Sequence, residues 1–227
     1  MNLRETEKLK RLITEQVPAN TLFGFYLYDT NSKETVTINE DEWFPLASVA
    51  KWITSILVSR SNYSVVNEDL YLAVCEHSNE SYMNLIEELP EQYLNESLAR
   101  LNVECKVSDQ NRDKVNNIGT PKGLFQMMDL LLHESSKPDH REAILKGMKN
   151  QEDPDGFRFS LPWFHMTGGL EGVCNDIGII KTDDLQFIVI GLLHCQDPSV
   201  EWTELEKFMR KIGEAVETCI NKGYSIR

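Results

Sequence analysis

Ser48 and Lys51 are the two side chains in this sequence whose types and spacing most clearly suggest chemistry. The apolar residues around them recur at helical spacing and predict a helix over about residues 47–59. Residues three apart share one face of a helix, so the Lys51 amine can reach the Ser48 hydroxyl. A buried lysine with a lowered pKa can accept the proton of such a nucleophile. The alternative is a helix-capping serine followed by a solvated lysine, because the S-x-x-K pattern also occurs by chance.

The elements around this pair predict an α+β fold. Strands are predicted near both ends of the chain, and helical patterns dominate between about residues 66 and 150. We expect Gly168-Gly169 and residues 181–184 to form the turns between the last three strands. The predicted elements are a helix at 3–16, strands at 22–28 and 35–38, strands at 163–167, 172–180 and 185–193, and a helix at about 200–221.

This order predicts one domain over residues 1–227. The N- and C-terminal helices are expected to flank a five-stranded antiparallel sheet, because the first and last parts of the chain supply its strands. The sheet lobe would comprise about residues 1–47 and 151–227. A trimmed helical lobe would be inserted at about 48–150.

Composition and charge exclude several classes of protein. The 227 residues include 23 Lys and Arg against 36 Asp and Glu, for a net charge of −13, which disfavours nucleic acid and anionic membranes as partners. A hydrophobic content of 41% with 26% charged residues is typical of a globular protein. The longest apolar runs, such as residues 187–193, are too short to span a bilayer.

The cysteines and the first residues bear on location and cofactors. The five cysteines include no C-x-x-C pair, which predicts free thiols in a reducing compartment, with a zinc site or a catalytic cysteine as the alternative. Residues 1–10 are charged and lack the apolar stretch of a secretory signal, so we expect a cytoplasmic protein. We expect neither a metal nor a cofactor. The oligomeric state is not predicted.

Three motifs resemble those of the serine β-lactamase and penicillin-binding-protein superfamily, particularly class A β-lactamases. Phe44, Pro45, Ser48 and Lys51 match the Phe-Pro-x-x-Ser-x-x-Lys motif. Residues 77–86 are similar to the Ser-Asp-Asn segment and its following helix. Residues 166–177 are similar to the Lys-Thr-Gly strand, its hairpin and an Asn-Asp-Ile strand, and Thr120-Pro121 matches a helix start between motifs two and three.

The resemblance implies a role for each matching residue. Ser48 would attack a carbonyl to form an acyl-enzyme, Lys51 would accept its proton or relay it, and Ser78 would shuttle a proton to the leaving group. Thr167, with Gly168 and Gly169 beside it, would line the substrate site and hydrogen-bond a substrate carboxylate or carbonyl. The backbone N–H groups of Ser48 and Gly169 would form the oxyanion hole.

The second motif departs from the family at Glu80, which stands where the family has Asn. Glu80 would add a carboxylate near Lys51. It could pair with Lys51 and hold it charged, or serve as a base itself, or lie in solvent at the start of a helix.

The third motif departs at Met166, which stands where the family has Lys, and so removes the cation that anchors a β-lactam carboxylate. His165 cannot simply replace that lysine, because adjacent strand residues point to opposite faces. His165 is therefore either a further substrate-binding candidate or an ordinary strand histidine.

Residues 106–119 occupy the position of the class A Ω-loop but contain no Glu, Trp or Pro. The carboxylate that activates water for deacylation then has no counterpart, unless Asp109, Asp113 or Glu80 substitutes. Ser48 and Ser78 are also only 30 positions apart, closer than in class A enzymes. We therefore do not expect efficient penicillinase activity.

The motifs together predict a serine hydrolase or acyl-transfer enzyme that acts through an acyl-Ser48 intermediate on a small amide, ester or lactam. With the lysine missing, a neutral or cationic substrate is favoured over one that carries a carboxylate. One alternative is a catalytically weak binding or sensor protein. Another is an unrelated α+β protein in which Ser48 only caps a helix.

Overall fold

The computed structural model describes residues 3–62, 65–110, 113–133, 137–182 and 185–224. A five-stranded antiparallel sheet lies at the centre of the fold, in the order β2-β1-β8-β7-β6. The first two and the last three strands in sequence meet where β1 pairs with β8, as the order of elements predicted. The strands are β1 Thr21–Asp29, β2 Thr35–Ile38, β6 Trp163–Leu170, β7 Val173–Lys181 and β8 Gln186–Cys195.

The sheet is covered on both faces because its central strands are apolar at successive positions. Phe23 and Phe25 of β1 pack against α1 (Leu3–Thr14) and α8 (Trp202–Tyr224), which cover one face together. Tyr26 of the same strand points into the other core. The predicted flanking of the sheet by the N- and C-terminal helices is therefore confirmed.

The second core belongs to the helical lobe on the opposite face. Every residue of its first helix, α2, is buried, which suits a predominantly apolar helix, and the polar residues Lys51, Thr54, Ser55 and Ser59 are buried with it. The other helices of the lobe surround α2 and complete this core. The helices of this lobe, with α2 first, are α2 Val49–Ser59, α3 Asn67–Cys75, α4 Asn79–Glu88, α5 Glu91–Arg100, α6 Pro121–His133 and α7 Pro138–Lys149.

A small second sheet, which the sequence did not predict, leads the chain into α2. Its strands are only two residues long and follow the order β3-β5-β4. The Leu46 N–H continues the pairing by donating to the Asn117 carbonyl at 2.8 Å. The bounds are β3 Phe44–Pro45, β4 Cys105–Lys106 and β5 Ile118–Gly119.

The prediction of a turn at Gly168-Gly169 is wrong. Strand β6 runs through both glycines to Leu170, and the chain reverses at Glu171-Gly172. Gly172 has a φ of +71°, which glycine adopts without steric cost. In the second predicted turn, the Thr182 N–H donates to the Leu185 carbonyl at 2.9 Å, while residues 183 and 184 lie outside the described residues.

None of the five cysteines, all of which lie in the described part of the chain, forms a disulfide, in agreement with their number and spacing. The described residues contain no group of three or more His, Cys, Asp or Glu side chains placed to hold a metal ion. In the same parts of the chain, no helix combines the length and the apolar character needed to cross a membrane.

Candidate active site

Ser48 lies at the N-terminus of α2, where the sequence predicted it. The preceding residue, Ala47, has a φ of +50°, so the chain turns sharply before the helix begins at Val49. The Ser48 side chain makes no capping hydrogen bond and is only partly buried. Its hydroxyl is therefore not used to stabilise the helix end.

Lys51 is buried beside this hydroxyl. Lys51 is only 1% exposed. Its Nζ lies 3.5 Å from Ser48 Oγ and 5.4 Å from the centre of the Tyr82 ring. Burial lowers the pKa of Lys51 to about 8, because a charged amine is disfavoured away from water. The alternative of a capping serine and a solvated lysine is therefore wrong for both residues.

Buried Asn175 holds the turn before Ser48 against the sheet. Its side-chain amide donates to the carbonyls of Pro45 at 2.8 Å and Leu46 at 3.1 Å. Its side-chain oxygen accepts from the Leu193 N–H at 3.1 Å. Asn175 thus ties β7, β8 and the entry to α2 together, a positioning role that the sequence did not reveal.

Ser78 caps the helix that packs over Lys51. Its Oγ accepts a hydrogen bond from the Ser81 N–H at 3.1 Å, which leaves the hydroxyl proton available for donation. The Tyr82 N–H bonds the Ser78 carbonyl at 3.1 Å, so Tyr82 lies one turn beyond Ser78. Since the Tyr82 ring also contacts Lys51, the second motif lies beside the first.

Glu80 points into solvent from the first turn of α4. Among the described residues, it forms no ion pair with Lys51. This placement agrees with the solvated alternative and disfavours the one in which Glu80 holds Lys51 charged.

Strand β6 passes close to the N-terminus of α2 at Gly168. A Cβ atom on Gly168 would lie 2.6 Å from the Leu46 carbonyl oxygen and 3.0 Å from Val49 Cγ2. Real side chains do not tolerate the first of these distances, so glycine is required here for packing. This contact fixes the distance between Ser48 and the strand that carries Thr167 and Gly169.

A cavity of ≈ 470 Å³ opens between these two elements. Of the residues predicted to form the site, Ser48 and Gly169 line it, while Lys51 is buried behind Ser48. The sequence did not predict the remaining lining residues. These are His77, Asp153, Asp155, Leu170, Glu171 and Trp202.

Thr167 is hydrogen-bonded within the protein at the edge of this cavity. Its hydroxyl donates to Asp153 Oδ2 at 2.7 Å and lies 3.1 Å from His77 Nε2. His77 Nε2 is also 3.5 Å from Asp153 Oδ2. The hydrogen bond from His77 holds the pKa of the Asp153 carboxyl well below its usual range. The Thr167 hydroxyl proton is thus directed to a carboxylate of the protein itself.

Met166 and His165 point to opposite faces of the sheet, as the strand periodicity required. Met166 is fully buried in the core of the helical lobe. His165 Nδ1 lies 2.9 Å from Asp176 Oδ1, and both residues are buried. Burial opposes the charged form of His165, but the Asp176 carboxylate outweighs it, so the pKa of His165 is raised. Neither residue is among those that line the Ser48 cavity.

The segment in the Ω-loop position is held by its own hydrogen bonds. The Asp113 carboxylate accepts from the N–H groups of Val115 at 2.7 Å and Asn116 at 2.9 Å, and from the Asn116 amide at 2.6 Å. Asp113 therefore stabilises a local turn, and Asp109 is exposed. Residues 111 and 112 lie outside the described part of the chain.

Solved structures with a similar fold include PBP-A and several beta-lactamases. PBP-A shares 15% identity over 97% of this chain and 97% of its own, with a TM-score of 0.78. The TLA-3 extended-spectrum beta-lactamase shares 15% identity over 95% of this chain and 99% of its own, with a TM-score of 0.81. A class A beta-lactamase from Bacteroides cellulosilyticus DSM 14838 shares 16% identity over 96% and 99%, with a TM-score of 0.81.

The sequence comparisons locate the family signal in the later part of the chain. A search of curated protein sequences found no match. The model of the Beta-lactamase enzyme family, Beta-lactamase2, matches residues 66–220, a span that contains the second and third motifs and begins after Ser48 and Lys51. This match covers more than half of the sequence, and the chain belongs to the beta-lactamase enzyme family.

Proposed function

We propose that this protein is a serine-dependent hydrolase or acyl-transfer enzyme that forms an acyl-Ser48 intermediate on a small amide, ester or lactam. The observation that carries the proposal is the burial of Lys51, with its Nζ 3.5 Å from Ser48 Oγ. Because burial lowers the pKa of Lys51 to about 8, roughly a tenth of the amine is neutral at pH 7, far more than for an ordinary lysine, and this form can act as a base.

Acylation would use groups on both sides of the cavity. Lys51 takes the Ser48 proton as Oγ attacks the substrate carbonyl, and the backbone N–H groups of Ser48 and Gly169 stabilise the resulting oxyanion. The Ser78 hydroxyl passes a proton to the leaving group as the bond to the carbonyl carbon breaks. Ser48 and Gly169 line one cavity, which supports their shared role.

Turnover then requires water or another acceptor to attack the acyl-enzyme. The carboxylate of Asp113 already accepts three hydrogen bonds in its own turn, which makes it a poor base for that water. This observation favours a second candidate function, a binding or sensor protein that is acylated at Ser48 and loses the acyl group slowly. The two functions share the first chemical step and differ in the second.

Labelling of Ser48 tests the shared step. The protein is incubated with a fluorophosphonate and with penicillin, and the adduct is located by mass spectrometry of the intact protein and its peptides. We expect an adduct on Ser48 that Ser48→Ala loses and that Ser97→Ala, a change at a half-buried serine of α5, retains. Absence of any adduct on Ser48 would refute both functions.

Turnover of a chromogenic ester separates the two functions. Repeated release of product after Ser48 acylation supports the hydrolase. A single burst followed by a stable adduct supports the sensor. The cytoplasmic location predicted from the sequence stays a prediction, and fractionation of cells that express the protein would test it.

A further inference from the structure

We propose that the cavity beside Ser48 selects substrates that carry a positively charged group, an ammonium or a guanidinium, held by Asp153 and Glu171 against the Trp202 indole. This inference rests on the proposed function, because it concerns the substrate whose carbonyl Ser48 would attack. It names a substrate class and the residues that determine it.

The charge of the cavity lining is the first support. Of the eight described residues that line the cavity, three are carboxylic acids and none is lysine or arginine. The hydrogen bond from His77 holds the pKa of Asp153 well below its usual range, so this group is ionised at neutral pH. Burial and a hydrogen bond with Glu206 raise the pKa of Asp155 to about 7, so we assign the cation site to Asp153 and to the exposed carboxylate of Glu171 rather than to Asp155.

Lys51 is buried behind Ser48, and two further cations near the cavity lie outside its lining. The Lys114 amine donates to the Glu171 backbone carbonyl at 2.6 Å and is not part of the lining. Arg158 pairs with Glu206 at 3.0 Å, outside the cavity. Among the described residues that line the cavity, the basic side chain is His77, which is hydrogen-bonded to the Thr167–Asp153 pair. A ligand carboxylate would therefore meet repulsion, and a ligand cation would meet attraction.

The position of Trp202 is the second support, and it is independent of the carboxylates. A Cβ atom on Gly169 would lie 2.8 Å from Trp202 Cη2, so the indole ring packs directly on the strand at the predicted oxyanion position. Indole is the best aromatic partner for a cation in proteins. A cation at this ring would be close to the carbonyl that Ser48 attacks, which favours small substrates with a short spacer between the two groups.

A series of three esters tests the charge preference. The p-nitrophenyl esters have acyl chains of equal length that end in trimethylammonium, tert-butyl or carboxylate. We expect kcat/KM, or the rate of the Ser48 burst if turnover is slow, to be at least tenfold higher for the cation than for the anion at low salt. The neutral ester should lie between them, and added salt should reduce the ratio. Equal rates, or a preference for the anion, would overturn the proposal.

Single substitutions assign the preference to residues. Glu171→Gln changes an exposed side chain at a hairpin turn and should lower the cation-to-neutral ratio about threefold or more, with folding unchanged. Trp202→Leu should lower the same ratio. Glu152→Gln is the matched control, because Glu152 is equally exposed and adjacent to Asp153 in sequence but lines a different cavity. A ratio that Glu152→Gln lowers as much as Glu171→Gln would contradict the assignment.

A binding measurement separates this inference from the proposed chemistry. Calorimetry with Ser48→Ala compares benzyltrimethylammonium, benzyl alcohol and phenylacetate, none of which needs to react. We expect the cation to bind at least tenfold more tightly than phenylacetate, and Glu171→Gln to weaken it. If the cation binds but no reagent labels Ser48, the proposed function fails and the cation site stands. If Ser48 is labelled but the cation binds no better than phenylacetate, the cation site fails alone.

Discussion

The two walls of the Ser48 cavity differ in how far they follow the family motifs. The α2 wall retains Ser48 and Lys51, with the lysine buried and 3.5 Å from the hydroxyl. The opposite wall, formed by β6 and the chain around it, has Met166 in place of the lysine and presents carboxylates and an indole. The α2 wall therefore keeps the residues that would break bonds, while the opposite wall presents a different set of groups to a substrate.

The physical reason for the difference lies in the surroundings of each wall. Lys51 lies in a close-packed core, where loss of the amine or of the Tyr82 contact changes the packing as well as the chemistry. Asp153, Glu171 and Trp202 border open space, so substitutions there change charge and shape with little effect on the core. Such a wall can change its ligand without changing the fold.

Removal of the Ser48 hydroxyl should cause the largest loss of activity. Ser48→Ala should reduce acylation and turnover at least 10³-fold, since it removes the oxygen that would attack the substrate carbonyl. Stability should change by less than about 0.5 kcal/mol, because the hydroxyl makes no capping hydrogen bond. Stopped-flow assays measure the effect on activity and urea unfolding the effect on stability. Retained turnover would show that the α2 wall does not supply the nucleophile.

Substitution of the buried lysine should lower activity and leave the protein at least as stable. Lys51→Met should reduce the acylation rate by about 10²- to 10⁴-fold, the contribution expected of a positioned base. The folded state disfavours the charged amine, so the unfolded chain binds more protons between about pH 8 and the ordinary value of 10.5. The wild type should therefore gain stability relative to Lys51→Met as the pH rises through that window. Urea unfolding at pH 7 and pH 10 checks the sign, and a wild type that loses relative stability would contradict burial of the charge.

The pH dependence of wild-type kcat/KM tests whether neutral Lys51 is the base. If neutral Lys51 is the base, kcat/KM for a neutral ester should rise with pH and level off above about 8. A neutral ester is used because the carboxylates of the opposite wall influence it least. Lys51→Met should abolish this rise, and a profile that is flat between pH 6 and 9 would argue for another base.

Disruption of the contact between the two walls, where Gly168 meets Leu46 and Val49, should have a smaller effect on activity. Gly168→Val would place a side chain against the Leu46 carbonyl and Val49, and the strand must move away from Ser48. We expect about 1–3 kcal/mol of destabilisation and at least a tenfold loss of kcat/KM. Gly147→Ala on α7 is the control, since its Cβ would lie 3.0 Å from the carbonyl oxygen of Tyr71 on α3, and neither residue lines the cavity. It should lower stability while the folded protein keeps its kcat/KM; equal losses in both variants would mean that the contact has no specific role.

Substitution of Glu80 should have the smallest effect. Because Glu80 is exposed, Glu80→Gln should alter acylation and deacylation less than twofold. Mass spectrometry of the acyl-enzyme over time distinguishes the alternatives. Accumulation of the adduct in Glu80→Gln alone would identify Glu80 as the base for deacylation, and a faster acylation would indicate that it holds Lys51 charged.

Local patterns were sufficient for much of the fold. Apolar runs, the alternation at residues 35–38 and helical spacing located the strands of the central sheet and the helices that flank it, because these elements bury surfaces that the sequence marks directly. The two-residue strands β3, β4 and β5 carry no such pattern and were missed. Gly168-Gly169 was misread as a turn because glycine also serves where two backbones approach closely, and a sequence does not distinguish the two uses.

The sequence alone determined the pairing of Ser48 with Lys51, since one helical turn brings residues three apart together whatever surrounds them. It also determined that Met166 and His165 face opposite sides of β6. Only the tertiary structure decided that Lys51 is buried, that Asn175 holds the turn before Ser48, and that Asp153, Glu171 and Trp202 border the same cavity. These residues come from distant parts of the chain, and contacts of that kind depend on how whole elements pack, which no local spacing records.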